Sequence, residues 1–230
     1  SGDHRDLHLS ILRQRQMCIR DSGISLSLWV EDWRQNNEIA SRLNLDYLNI
    51  KQEINEDIDN INNIISKVEN QILALNNLVD YYEGKTIFDK DDLSNNLGTI
   101  TAPTFYGTKT AYSASVSSGR LNFSKDMNLT NEITLLYEHY YKRLDSNSEI
   151  YDIRNSKLKS DYFMPFYSVT VGKNEFSDKH KKIFYSSELG NSLYWILEFV
   201  ENYYIKRLAD TRKQMLKTEA MITKNLMNNN

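Results

Sequence analysis

Histidines and paired acids are where a reaction would first show in this sequence, because imidazole and carboxyl groups bind metals and move protons near neutral pH. His139 stands among Tyr137, Tyr140 and Tyr141, with Glu138 beside it. No second histidine lies at the spacing that two ligands on one helix face require, so His139 reads as an ordinary helix residue. His180, within Asp178-Lys179-His180-Lys181-Lys182, reads as a solvated loop residue without a partner. Asp89-Lys90-Asp91-Asp92 matches a calcium loop for three residues only. Its sixth position is Ser94, where a glycine is needed, and its twelfth is Ile100, where a glutamate would close the shell. The run from Asp145 to Glu149 fails in the same way, with Ile150 at the sixth position. Glu53, Glu56, Asp57, Asp59, Glu198 and Glu201 fall on faces expected to be solvated, which is not the setting of an acid–base pair. There is no glycine loop to cradle a phosphate and no Gly-x-Ser-x-Gly elbow. The sequence therefore points to no catalytic, cofactor-binding or metal-ligating residue, and the expectation is a protein without enzymatic activity.

Binding chemistry is better represented. Of 15 tyrosines, six form the pairs Tyr81-Tyr82, Tyr140-Tyr141 and Tyr203-Tyr204. Tyr162, Phe163, Phe166 and Tyr167 add a cluster that reads either as core or as an exposed aromatic patch recognising a partner. Arg120, following Gly119, is a further anion-binding candidate, although arginines after helix ends are commonly just exposed. At the other end of the chain, the apolar run Gly23–Val30 is closed by Glu31-Asp32-Trp33-Arg34. Trp29 and Trp33 share a helical face, and tryptophan favours the bilayer–water boundary, so Trp29, Trp33 and Arg34 are expected at a membrane interface. A full crossing needs about 20 apolar residues, so this run reads as the remnant of a span. The alternative is an apolar helical turn packed on the domain's own core.

These residues must be positioned by helices. From Ile54 to Tyr82 the apolar positions alternate in steps of four and three, the period of a coiled-coil seam. The assignment places Ile58, Ile65, Ile72 and Val79 at a, and Ile61, Val68, Leu75 and Tyr82 at d, with Ile64 and Leu78 widening the stripe at g. Gly84 is suited to end the helix. A second long helix carries Leu189, Leu193, Ile196, Leu197, Val200, Tyr204, Leu208, Met215, Ile222 and Leu226. The fold class is mainly all-α: a long antiparallel hairpin or coiled coil, about 25–83 and 186–227, capped by shorter middle helices. A parallel homodimer of stalks is the alternative. Between the long helices, 85–102 reads as a connector and Pro103 as the first turn of a short helix that stops at Ser117-Ser118-Gly119. Asp126 is a plausible N-cap for a helix carrying Leu129, Ile133, Leu136, Tyr137, Tyr140, Tyr141 and Leu144. Asp145-Ser146-Asn147-Ser148 reads as a turn, Ile150–Leu158 as a short helix, and the stretch around Pro165 as irregular or a short strand.

Residues 1–22 share no periodicity with the rest. Arg13–Ser22 resembles a translated sequencing adapter, and Gly2–His8 the primer that precedes it, so 1–22 is expected to be a disordered artefact. The division is then 1–22, a membrane remnant at 23–34, and a helical domain at 35–230. With 1–22 go four arginines, three aspartates and Cys18, the one cysteine, which takes the formal charge from −3 to −4 and excludes disulfides. That charge carries no nucleic-acid footprint.

The order of Gly23-Ile24-Ser25-Leu26 and Trp33, a long helix, Ala111-Tyr112, Ser117-Ser118-Gly119-Arg120-Leu121-Asn122, then Leu129, Ile133 and Tyr140-Tyr141 resembles a family of small bacterial membrane-anchored proteins, a domain of unknown function. The resemblance spans about 23–145. It implies one transmembrane helix in the bacterial inner membrane and a helical domain facing the periplasm, with no activity attached. The family's N-terminal tail and most of its span have no counterpart here. The expected function is a non-enzymatic scaffolding or interaction module, partnered by the bilayer and by another protein or a second copy. The alternatives are a ligand-sensing bundle and an enzyme whose site leaves no motif.

Overall fold

The structure, a computed structural model, describes residues 3–87 and 89–228, with side chains from Trp29 onward. The chain is helical nearly throughout, and no strand occurs among the described residues. The first helix, α1 (Asp3–Tyr82), is 80 residues long, about 120 Å at the usual helical rise. Between these bounds the sequence holds one glycine, Gly23, and no proline, so nothing in it breaks a helix. Its backbone therefore runs helically through 3–22, which the sequence reading expected to be disordered. The side chains of that segment and of Gly23–Leu28, the bulk of the expected membrane remnant, lie outside the described residues. Gly84 ends α1 as expected: it adopts φ +70°, while the amides of Gly84 and Lys85 donate to the carbonyls of Tyr81 and Asp80.

The return rod consists of α8 (Ser187–Phe199), a π-helical turn (Val200–Tyr204) and α9 (Ile205–Asn228). Ser186 caps it, its hydroxyl accepting from the Leu189 amide. Pairing along the two rods fixes an antiparallel hairpin. Lys51 meets Glu219 at 3.3 Å, Arg212 donates to Asn62, Asn76 donates to Glu201, and Tyr194 donates to Glu83. The return rod thus covers, within one chain, the α1 face that a parallel stalk dimer would need.

The seven-residue period is present but its inner line differs from the assignment. The deepest positions of α1 are Leu43, Tyr47, Ile50, Ile54, Asp57, Ile61, Ile64, Val68, Gln71, Leu75 and Leu78, all buried at steps of four and three. These are the d and g positions. Ile58, Ile65 and Ile72, placed at a, are half-buried on the flank. Two seam positions are polar, and an apolar reading passes over them. Thr211 and Thr218 likewise fill the seam of α9 between Leu208, Met215 and Ile222.

A third rod replaces the expected caps. It joins α4 (Met127–Leu135), a π turn (Leu136–Tyr141), α5 (Lys142–Leu158) and a second π turn (Lys159–Phe163). Asp126 caps it, accepting from the Leu129 amide at 3.0 Å. The predicted turn at Asp145–Ser148 is instead helical, because Leu144 and Tyr151 are fully buried and Lys109 pairs with Asp145 at 2.5 Å. Each π turn carries adjacent aromatic residues: Tyr140-Tyr141, Tyr162-Phe163 and Tyr203-Tyr204. The extra residue of a π turn shifts the helical phase, which changes the face the following residues present.

The remaining segments close the bundle. The expected connector contains α2 (Lys90–Thr99), capped by Asp89, which accepts from the Asp91 and Asp92 amides. Pro103 is not in a helical turn. It lies in an extended strap, 100–109, and α3 (Thr110–Ser117) begins only afterwards. Gly119, at φ +70°, follows α3 as the expected stop. Around Pro165 the chain forms a 3-10 turn (Met164–Phe166) and the short α6 (Tyr167–Thr170), with no strand. His180 belongs to α7 (Asp178–Phe184), where its ring accepts from the Ser177 amide and packs on Phe166 and Phe176.

Candidate functional site

The strap has no sheet partner, so its buried backbone groups must find side chains. Gln71 Oε1 accepts from the amides of Thr101 and Ala102 at 3.1 and 3.2 Å. The Tyr204 hydroxyl donates to the Pro103 carbonyl and accepts from the Phe105 amide, both at 3.2 Å. Ser148 donates to the Phe105 carbonyl at 3.0 Å. Asp57 accepts from the Thr108 amide at 2.9 Å, the Thr108 hydroxyl at 3.1 Å and the Tyr141 hydroxyl at 2.8 Å. One turn earlier, Glu53 accepts from the Ala111 amide at 2.9 Å, supplying the cap that Lys109 does not give α3. Gly107 is required here, since a Cβ would enter the Tyr141 ring.

Electrostatics make this acid–tyrosine belt a lock. Burial pushes the Asp57 carboxyl up, against the pull of Tyr141 and Thr108. Burial also raises Glu53, with Asp57 and Glu56 adding repulsion and the Ala111 amide opposing. Tyr137 and Tyr141 are driven far above the ordinary phenol range, first by burial and then by these carboxylates. Phenols so placed stay protonated, and Asp57 at 3% exposure presents no open face. The belt holds strap to rods.

Two grooves open on the outside of the bundle. The first, about 290 Å³, lies between α5 and α8 and is lined by Arg154, Lys157, Tyr162, Asn191, Trp195 and Ile196 among others. The guanidinium carbon of Arg154 sits 3.8 Å from the Trp195 ring centre and 4.4 Å from that of Phe199. None of the five N–H donors of Arg154 meets a protein acceptor among the described residues. The Lys157 ammonium, Asn191 amide and Tyr162 hydroxyl are likewise without protein partners there. Partial burial pulls the Arg154 guanidinium below its ordinary value, and Glu198 attracts it without closing an ion pair. The second groove, about 340 Å³, lies between α2 and the segment 159–170, and its walls include Leu97, Lys159, Phe163, Met164 and Tyr167. Among the described residues no three His, Cys, Asp or Glu side chains gather as a metal site.

The family of unknown function DUF6090 matches residues 17–203. The chain belongs to that family. No curated protein and no solved structure matches it. The DUF6090 segment takes in the strap, the acid–tyrosine belt and both grooves, and reaches well past residue 145, where the sequence resemblance was drawn to end. It begins inside the segment read as adapter-derived. More than half of the return rod, from Tyr204 through all of α9, lies beyond it, including the Tyr204 hydroxyl that bonds the strap.

The residues singled out from the sequence are scattered by the fold. Tyr162 lines the first groove, Phe163 and Tyr167 the second, and Phe166 is buried against Phe176 and Phe184. They form no single patch. Arg120 is already engaged. Its Nε and a terminal nitrogen reach the two Asp46 oxygens at 2.6 and 2.9 Å, and Ser115 donates to the same carboxylate, which ties α3 to α1. Trp29 and Trp33 are exposed, while Arg34 pairs with Glu31 at 2.7 Å and holds that carboxyl below its ordinary range. Asp57, expected on a solvated face, is instead buried and hydrogen-bonded, and Gln71, Arg154 and Trp195 were not singled out from the sequence at all. Asp57 and Gln71 sit in the heptad line as polar interruptions. Trp195 offered a weaker signal, a tryptophan beside the apolar stripe of the return rod.

Proposed function

We propose that the protein is a non-enzymatic interaction module attached to a bilayer by the N-terminal part of α1, with the helical hairpin as its head. The observation that carries this reading is the segment 29–42. It continues α1 beyond the bundle, every residue but Ile39 is exposed, and packing begins only at Leu43. Trp29 and Trp33 are 65% and 60% exposed on one face of that overhang. A helix of this length is marginal in water unless it propagates from a packed one, as this does from the bundle. Paired tryptophans flanked by the Glu31–Arg34 and Glu38–Arg42 ion pairs suit a headgroup boundary. The apolar run Gly23–Val30 is then the part that enters the bilayer. Among the described residues no helix is long and apolar enough to cross a membrane. On the strength of the sequence resemblance, we read the membrane as a bacterial inner membrane crossed once, with the head in the periplasm. A second reading, recognition of a small molecule between helices, draws on the open groove beside Arg154.

Flotation of the full chain with vesicles of phosphatidylethanolamine and phosphatidylglycerol tests the attachment. The chain should float with the lipid, and Trp29→Ala/Trp33→Ala should lower the floated share severalfold. A chain left at the bottom of the gradient, or a double variant that floats equally well, would overturn the reading.

A further inference from the structure

We propose that the groove between α5 and α8 binds a small organic carboxylate, its anionic head taken by Arg154 and Lys157 and its apolar body seated on Leu158, Ile196 and the Trp195 ring. This goes beyond bilayer attachment and does not depend on it.

The chemistry of the lining selects the ligand. Two cations one helical turn apart face the groove, and no carboxylate lines it. Elsewhere in the bundle, cations that are drawn in are answered: Arg120 by Asp46, Lys109 by Asp145 and Lys51 by Glu219. Arg154 is drawn in over the Trp195 and Phe199 rings of α8, and its N–H fork is unused among the described residues. A guanidinium fork matches the two oxygens of a carboxylate, and such bonds are the strong kind. The neutral donors of Asn191 and Tyr162 converge on the same space without protein partners of their own. The half-exposed Trp195 ring supplies most of an apolar floor whose base is the buried Leu158 and Ile196, and a bare inorganic anion would leave that ring uncovered. A volume of about 290 Å³ sits at the small end of ligand pockets, so the ligand is compact: one anionic group on an aromatic or branched aliphatic body.

Fluorine NMR of the full chain labelled with 5-fluorotryptophan tests this directly. The three tryptophans give three resonances, Trp195 being assigned by Trp195→Phe, and Trp29 and Trp33 act as internal controls. Benzoate, phenylacetate and isovalerate should shift the Trp195 resonance saturably, while benzamide and benzyl alcohol should not. Arg154→Gln should weaken the carboxylate response by about tenfold, and Lys157→Gln, on the exposed rim where folding is not at stake, by a smaller factor. An unmoved Trp195 resonance would overturn the proposal. So would neutral analogues binding as well as the acids, inorganic phosphate producing the same shift at the same concentration, or a Lys157→Gln chain that binds unchanged.

Discussion

Asp57 and Arg154 lie on neighbouring rods, each charged and each beside aromatic rings, yet their surroundings are opposite. Asp57 is buried and both its oxygens are engaged: Oδ2 by a backbone amide and a phenol, Oδ1 by a hydroxyl. Arg154 is partly buried, lies over the Trp195 and Phe199 rings, and donates to no acceptor among the described residues. A polar group completed by its own protein acts as a structural element, because removing any partner orphans another. A charged group that is fixed but left unanswered keeps its hydrogen-bonding capacity for something else. The two groups therefore differ in what they are for, although both are ionisable residues on helices with aromatic neighbours.

Substitution should separate the two in stability before any ligand is added. Asp57→Ala removes the acceptor for the buried Tyr141 hydroxyl and for two part-buried donors of Thr108, and its expected loss is about 3 kcal/mol. In thermal unfolding that is a drop of roughly 6–12 °C for a chain of this size. A change near zero would mean that the belt does not hold the strap. Arg154→Ala removes a cation–π contact and no hydrogen bond, so it should cost about 0.5–1 kcal/mol, read from denaturant midpoints at unchanged slope. A loss as large as that of Asp57→Ala would erase the contrast and make Arg154 a structural residue. The smallest effect concerns Glu53, which burial raises above its ordinary value of 4.5. The folded chain then holds that proton more tightly than the unfolded one. Its contribution to stability is fully present below the ordinary value and is lost as pH rises through the raised value. Glu53→Gln keeps an acceptor for the Ala111 amide and has no proton to lose. The stability of the natural chain relative to this variant should fall with rising pH across that window, in paired melts at several pH values. A difference that rises with pH would reverse the assignment.

Much of the rod architecture was legible from local rules. The stops at Gly84 and Gly119 and the cap at Asp126 follow from backbone preferences that neighbouring residues alone impose. The second rod could be read from its apolar spacing. The third could not, because Asp145-Ser146-Asn147-Ser148 has turn-forming residues, and only the burial of Leu144 and Tyr151 on either side keeps it helical. The same limit applies to the grooves. Arg154 and Trp195 are 41 positions apart in the chain, and nothing local states that they meet.

By itself, the sequence determined the seven-residue repeat of α1, since alternating steps of four and three leave a helix one continuous stripe to bury. It did not determine which edge of that stripe faces inward. With apolar residues at a, d and g, hydrophobicity alone would favour the line through Ile58, Ile65 and Ile72 over the line through Asp57, Ile64 and Gln71. Tertiary structure decided for the second, because the strap brings backbone amides to Asp57 and Gln71, which accept from them. The Tyr141 hydroxyl, buried against Asp57, would cost about 1–3 kcal/mol if left unpaired, comparable to what burying one more isoleucine would contribute.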